Sequence, residues 1–406
     1  MNQSSSRRSI LAIAVVGALA FGAVSQVHAQ SAQARAEQRR AARDQKGDAK
    51  QTVKAVEQYP AATRTSPEAK ATAKVTPKLK KMMDLYDGDK GAEARAAADE
   101  IIANAAANGY DHAFAAQIAA QIAYDANDNA TAMAYLKKAL EFNGLDNNGH
   151  FGAMLMLAQL QLQEDKYAES LVTFERFFAE TKSQKPEQLA MKGNALYRLE
   201  RYPEAAAVLK QAIAASPEPK ADWQQLLMST YFETGQGAEA AKIAEDLATK
   251  NPSDKRAQMN LVAVYLQGDM YDKAAAVLEK LRTAGQFTED KDYRQLYSAY
   301  LNLDGKEKQA SGVITDGLAK GVLKADFQAY LALAQSYYFS DQPALSIDAY
   351  KKAAPLAPDG EAYLNLARVL WQEDRVTEAK EAARQAIAKG VKKPDDAKKI
   401  IALPGK

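Results

Sequence analysis

The residues that could do chemistry are few, and their types and spacing exclude most reactions. Cysteine is absent from the 406 residues, which removes disulfides, thiolate nucleophiles, Cys-ligated zinc and a lipid anchor on cysteine. Beyond residue 29 the histidines are His112 and His150, and neither has a second histidine or a cysteine at metal-ligand spacing. Both stand near predicted helix entries, where a solvated or capping role is expected. There is no G-x-S-x-G motif and no serine paired with lysine in a recognisable motif. No strand-period segment occurs, so no glycine-rich phosphate loop can follow a strand. The acidic pair Asp395-Asp396 opens a predicted helix, where the helix dipole accounts for it. The sequence therefore reads as non-enzymatic, with no catalytic residue, no cofactor and no metal. What remains is the chemistry of recognition, carried by amide, arginine and aromatic side chains.

The elements that must position those side chains repeat. Pro186 to Pro217 reads as two short amphipathic helices joined by a tight turn: Leu189, Ala190, Gly193 and Leu196 recur at helical spacing in the first, and Ala205, Leu209, Ala212 and Ile213 in the second. Gly193 and Ala205 let the two apolar faces approach, Tyr202 sits beside the turn, and Pro217 stops the second helix. One such hairpin cannot bury both faces, so it has to stack on copies of itself. From Thr76 onward a small residue near the start of each second helix recurs at Ala94, Ala132, Ser170, Ala205, Ala240, Ala274, Ala310, Ser346 and Ala379, at intervals of 38, 38, 35, 35, 34, 36, 36 and 33 residues. The turns Asp87-Gly88-Asp89, Gly235-Gln236-Gly237, Gly268-Asp269 and Asp304-Gly305 supply residues that tolerate positive φ or cap a helix.

Three stretches carry a family resemblance: Lys166-Tyr167-Ala168-Glu169-Ser170, Arg201-Tyr202-Pro203-Glu204-Ala205 and Met270-Tyr271-Asp272-Lys273-Ala274 each place an aromatic three residues before the small one. Pro217, Pro252 and Pro358 then close their units. Together with the interval, this resembles a tetratricopeptide repeat array, whose unit is about 34 residues in two antiparallel helices. The resemblance covers roughly Thr76 to Gly390; the first two units are degenerate, with Asn129 where the aromatic belongs. It implies an all-α, superhelical solenoid of about nine helical hairpins over residues 75–392, and residues 393–406 read as a polar capping helix beginning at Pro394.

Stacked first helices make a groove, and the register assigns its lining. In the central and C-terminal units the partner-binding candidates are Asn194, Tyr197, Arg198, Ser229, Phe232, Arg256, Asn260, Tyr338, Asn365, Arg368 and Trp371, of which the aromatics and arginines are typical of binding hot spots. The alternative for Tyr338 and Trp371 is burial in the next hairpin. Asn194 and Asn260 are present, but no lysines complete the pattern by which tetratricopeptide grooves clamp a C-terminal carboxylate.

Ahead of the array, residues 1–29 read as a secretory signal peptide: Arg7 and Arg8, an apolar run from Ile10 to about Val24, then Val27-His28-Ala29 for cleavage. That run falls short of the roughly 20 residues a spanning helix requires. Ser6-Arg7-Arg8-Ser9-Ile10-Leu11 resembles the twin-arginine motif, but no cofactor site calls for export in the folded state, so the Sec route is expected, into the periplasm. Removing the signal leaves 51 basic and 51 acidic residues, a balance that predicts no nucleic-acid binding. Residues 30–74 are rich in Ala, Gln and Arg and hold ten basic residues against five acidic; without apolar periodicity they read as a marginal helix or a disordered linker. Membrane contact by scattered charges without aromatics is weak and salt-sensitive.

A narrower resemblance covers Asp222 to Gly390. Asp222-Trp223 with Leu226 and Tyr231, Asp292-Tyr293 with Leu296 and Tyr300, Gly317-Leu318 with Gly321, the run Leu333 to Tyr338, and Lys352-Ala353-Ala354 leading to Asp359-Gly360-Glu361 are similar to the periplasmic tetratricopeptide proteins encoded beside TonB, ExbB and ExbD. The resemblance implies a non-enzymatic interaction scaffold, accessory to energy-coupled outer-membrane transport, that contacts components of that system. The alternative is an assembly or structural factor for polysaccharide or cell-wall biogenesis.

Overall fold

The computed structural model describes residues 56–404; the expected signal peptide and residues 30–55 lie outside the described residues. Among the described residues there are 19 helices and no strand, and the chain divides into two compact units between Gln236 and Gly237. The first unit holds α1 (Thr76–Asp87), α2 (Gly91–Ile102), α3 (Gly109–Asp125), α4 (Asn129–Phe142), α5 (Asn147–Gln163), α6 (Tyr167–Thr181), α7 (Pro186–Arg198), α8 (Tyr202–Ala215) and α9 (Ala221–Glu233). The second holds α10 (Gly237–Lys250), α11 (Lys255–Gln267), α12 (Tyr271–Thr283), α13 (Asp290–Leu301), α14 (Glu307–Ala319), α15 (Phe327–Phe339), α16 (Pro343–Leu356), α17 (Glu361–Gln372), α18 (Val376–Ala388) and α19 (Pro394–Ile401). No described helix is long and apolar enough to cross a membrane.

The small-residue register is the packing register. All nine marks lie in the first turn of a second helix, and all nine are 0% exposed; within each unit this is because only a short side chain fits where the two helices of a hairpin touch. Where the mark is serine, its hydroxyl needs a partner once buried. Ser170 donates to the Ala158 carbonyl at 2.7 Å and Ser346 to the Ala334 carbonyl at 2.8 Å. The same logic governs Gly193 on α7: a Cβ there would stand 2.7 Å from Cγ of Leu209 on α8, and Leu209 is itself fully buried and has nowhere to swing. Gly193→Leu is expected to lower the unfolding free energy by about 1–3 kcal/mol through overpacking, read as a fall in the urea midpoint.

The turns share one backbone solution. Five residues before each mark the chain enters the left-handed region, at Asp89, Asn127, Asp165, Glu200, Gly235, Asp269, Gly305, Asp341 and Asp374. In eight of these turns the next N–H reaches back to a carbonyl in the last turn of the first helix, as Arg201 N does to Leu196 O at 3.0 Å and Met270 N to Tyr265 O at 2.8 Å. This is the Schellman closure of a helix end. Gly235 and Gly305 fill the expected role. Gly88 and Gly268 cap their helices instead, at φ −82° and −92°, and the aspartate beside each takes the left-handed position, which Asp tolerates through its short polar side chain.

Two first helices are longer than the rest. α3 and α5 run 17 residues each, against 12 or 13 in the other first helices. The extra turn lies at their N-terminal ends and accounts for the two 38-residue intervals. Asn108 caps α3 by accepting from Asp111 N at 2.9 Å, and Asp146 caps α5 by accepting from Gly149 N at 2.7 Å.

Residues 56–74 depart from the expected linker. They are not helical, and they dock along the first unit, because Tyr59 and Arg64 both find partners there. Tyr59 joins the core cluster containing Phe151, Met154, Leu157 and Phe177. At the other end of the chain α19 begins at Pro394 and buries Ala397 and Ile400.

Candidate recognition surface

Tyr197, Phe232, Tyr338 and Trp371 all stand eight residues before their marks, near the C-terminal end of a first helix. In the first unit Tyr197 on α7 and Phe232 on α9 are half-buried. The Tyr197 ring meets Tyr202 edge-on at 5.5 Å, and burial, with Glu233 on α9 adding to it, pushes its hydroxyl above the usual tyrosine range. In the second unit Tyr338 on α15 is 37% exposed and Trp371 on α17 is 48% exposed, so neither is taken up by the next hairpin.

The polar candidates sort differently. Arg198 is exposed but engaged: its guanidinium carbon lies 5.0 Å from the Tyr167 ring centroid, two of its N–H groups donate to the Tyr167 hydroxyl at 3.0 and 2.6 Å, and Asp165 lies 3.7 Å away. It ties α7 to the preceding turn. Arg368 on α17 is likewise committed, donating to Asn365 Oδ1 at 3.1 Å and to Asp396 Oδ2 on α19 at 2.9 Å. Ser229 donates to the Gln225 carbonyl of its own helix at 3.1 Å. Arg256 and Asn260 on α11 are exposed. Asn194 on α7 is half-buried, and its Oδ1 is closed off from solvent with no hydrogen-bond partner.

Three glutamines missed by the sequence reading share that condition. Gln286 after α12, Gln295 on α13 and Gln335 on α15 each hold a buried, unpartnered Oε1. Gln335 stands eleven residues before its mark, the position of Asn194, Ser229 and Arg368, so register could have found it. Tyr350 on α16 was also missed. It is 4% exposed, and its hydroxyl is held above the usual range by burial first and then by Tyr338, with Arg368 opposing.

Of the two histidines, expected in solvated or capping roles, His150 departs from that expectation. His112 is half-buried, with Nε2 3.1 Å from the Asn104 carbonyl and its ring 4.9 Å from Phe142. His150 is 0% exposed and neither ring nitrogen has a partner. Its signal was its place on the stripe His150, Met154, Leu157, Ala158 and Gln161, every member of which is buried. Among the described residues no group of three or more His, Asp or Glu is placed to hold a metal ion.

Helical hairpins in tandem, packed through one small residue per unit and presenting first-helix side chains, define a repeat scaffold of the recognition class. One tetratricopeptide repeat model matches residues 196–259 and 231–300, and a second matches 155–220 and 331–397. The chain belongs to the tetratricopeptide repeat family, whose members are generally protein–protein interaction scaffolds. No curated protein matches the chain. Among solved structures it is similar to a tetratricopeptide repeat protein from Parabacteroides merdae, at 14% identity over 63% of this chain and 98% of that one, with a TM-score of 0.38. It is also similar to the C-terminal part of a repeat protein from Cytophaga hutchinsonii, at 16% identity over 61% and 100%, with a TM-score of 0.44. A third, MamA, matches at 19% identity over 40% and 94%, with a TM-score of 0.35.

Proposed function

We propose that the chain is a non-enzymatic periplasmic scaffold that recruits a protein partner on the first-helix face of its second unit. One observation carries the reading: Tyr338 and Trp371, at equivalent positions in successive repeats, are 37% and 48% exposed near the C-terminal ends of their first helices. Aromatic area left in solvent at repeated positions is what a binding hot spot is built from. The periplasmic location rests on the signal-like residues 1–29. The resemblance of Asp222 to Gly390 to the repeat proteins encoded beside TonB, ExbB and ExbD supports a component of that energy-coupled transport system as the partner.

Crosslinking in the periplasm under iron limitation should recover a TonB, ExbB or ExbD homologue. Introducing Tyr338→Ala and Trp371→Ala together should then cut the recovery roughly 30-fold or more, the scale of losing a hot spot of about 2 kcal/mol. Recovery of cell-wall or polysaccharide proteins instead would transfer the scaffold to envelope assembly, and undiminished recovery by the double variant would sink the assigned surface.

A further inference from the structure

Residues 56–66 sit on the first unit as a ligand sits on a receptor. Most of the segment is exposed, Val56 at 80%, and two side chains anchor it. Tyr59 is 4% exposed, meeting Phe151 and Phe177 edge-on at 5.2 and 5.7 Å, with the Lys185 ammonium 5.1 Å from its ring. Arg64 spends its guanidinium on Asn143 Oδ1, Asn147 Oδ1 and the carbonyls of Asn143 and Leu145, each at 2.9 Å. Those carbonyls follow the end of α4, where a cation is favoured.

Between and beyond the anchors the receptor reads backbone. The Asn148 amide accepts from Gln58 N at 2.8 Å and donates to the Val56 carbonyl at 3.0 Å. Thr63 N donates to the Glu180 carbonyl at 2.8 Å, and Asn147 Nδ2 donates to the Arg64 carbonyl at 3.1 Å. Two deep side chains with main-chain pairing around them are how an extended peptide is recognised, affinity coming from the backbone and specificity from the pockets. Asn147 and Asn148 belong to the additional turn of α5, which among the other first helices only α3 shares.

We propose that the surface formed by the α4–α5 turn, the first turn of α5, the end of α6 and the start of α7 is a peptide-docking site. The chain fills it in cis with Val56 to Ser66. Its ligand class is an extended peptide bearing Tyr-Pro with an arginine five residues after the tyrosine, and the segment itself is displaceable. This site is separate from the first-helix aromatics of the second unit, and its test does not depend on them.

The probe is a fluorescent synthetic peptide of residues 56–68, titrated by anisotropy into the full chain. Tethering holds the cis segment at an effective concentration in the mM range, so the wild-type chain should bind the peptide weakly. A full chain carrying Tyr59→Ala and Arg64→Ala vacates the site and should bind it saturably, at least ten-fold tighter than wild type. The same peptide with its arginine replaced by alanine should lose at least ten-fold on that variant. Equal binding to both chains would overturn occupancy in cis. Absence of saturable binding to the variant would overturn the proposal whether its helical circular dichroism is kept, so that the surface does not recognise the segment, or lost, so that the segment is part of the fold.

Discussion

Gly144→Ala should destabilise the first unit by about 3 kcal/mol or more, a large effect for a single methyl group. A Cβ at Gly144 would fall on the carbonyl carbon and oxygen of Gly109 and on the amide nitrogen of Tyr110, so relief requires the backbone to move and no side chain can give way. Gly109 opens α3, and moving it disturbs the mutual cap of Asn108 and Asp111, whose carboxylate also accepts from Thr72 N at 3.2 Å. Overpacking costs typically about 1–3 kcal/mol, and a main-chain collision belongs at the top of that range or above. Gly152→Ala on α5 is the control. It is exposed, a Cβ there meets nothing within 4 Å, and the better helix propensity of alanine should stabilise by up to about 1 kcal/mol. Urea midpoints of the two variants should move in opposite directions; a common direction would sink the collision argument.

The stability of the first unit should fall on mild acidification, between pH 6.5 and 4. His150 is pushed down to about 4, by burial first, then by Arg64 and Arg176, with Glu180 on α6 opposing. Its folded form is therefore neutral where the unfolded chain, with an ordinary histidine, takes up a proton. Stability is complete above the unfolded value of about 6.5 and declines by up to about 1.4 kcal/mol per pH unit as pH falls toward the folded value, a loss on the order of 3 kcal/mol at pH 4. Carboxylates act lower. Glu245 is held below its usual range by its hydrogen bonds from Tyr265 and Lys273, so its contribution is present above the ordinary glutamate value and fades only beneath it. Urea midpoints at pH 7.5 and 5.5 separate the two, since His150→Leu should flatten this interval. The same slope in the variant would exclude His150 as its source.

What could be read from the sequence was whatever repeats. The small-residue marks became nine fully buried contacts, including Ala132 in a unit whose Asn129 breaks the aromatic pattern, because burial of the mark depends on the helix pair and not on the residue beside the turn. The turn position was legible, but its left-handed residue went to Asp89 and Asp269 where glycines stood adjacent, since the Schellman geometry selects a place in the chain before it selects a residue type. Register alone left Tyr338 and Trp371 open between exposure and burial in the next hairpin, since the same position holds the half-buried Tyr197 and Phe232. The engagement of Arg198 with Tyr167 was not legible, because it joins a first helix to the turn of the repeat before. Docking of residues 56–66 was invisible for a related reason: two isolated anchors, Tyr59 and Arg64, have no period, and their partners lie about 80 or more residues downstream.

The two buried serines bear on the order of folding. Each hydroxyl bond joins residues 12 apart, within one hairpin, α5 with α6 in the first unit and α15 with α16 in the second. An alanine at the mark permits the two helices to slide along one another until a neighbouring unit arrives, whereas a directional bond to one carbonyl fixes their relative height from local chain alone. Closing so short a loop carries a small entropic cost, and repeat arrays can nucleate at any unit and grow outward. Each unit thus holds one hairpin able to set its own alignment before its neighbours form, and from it the remaining hairpins can take their height by stacking.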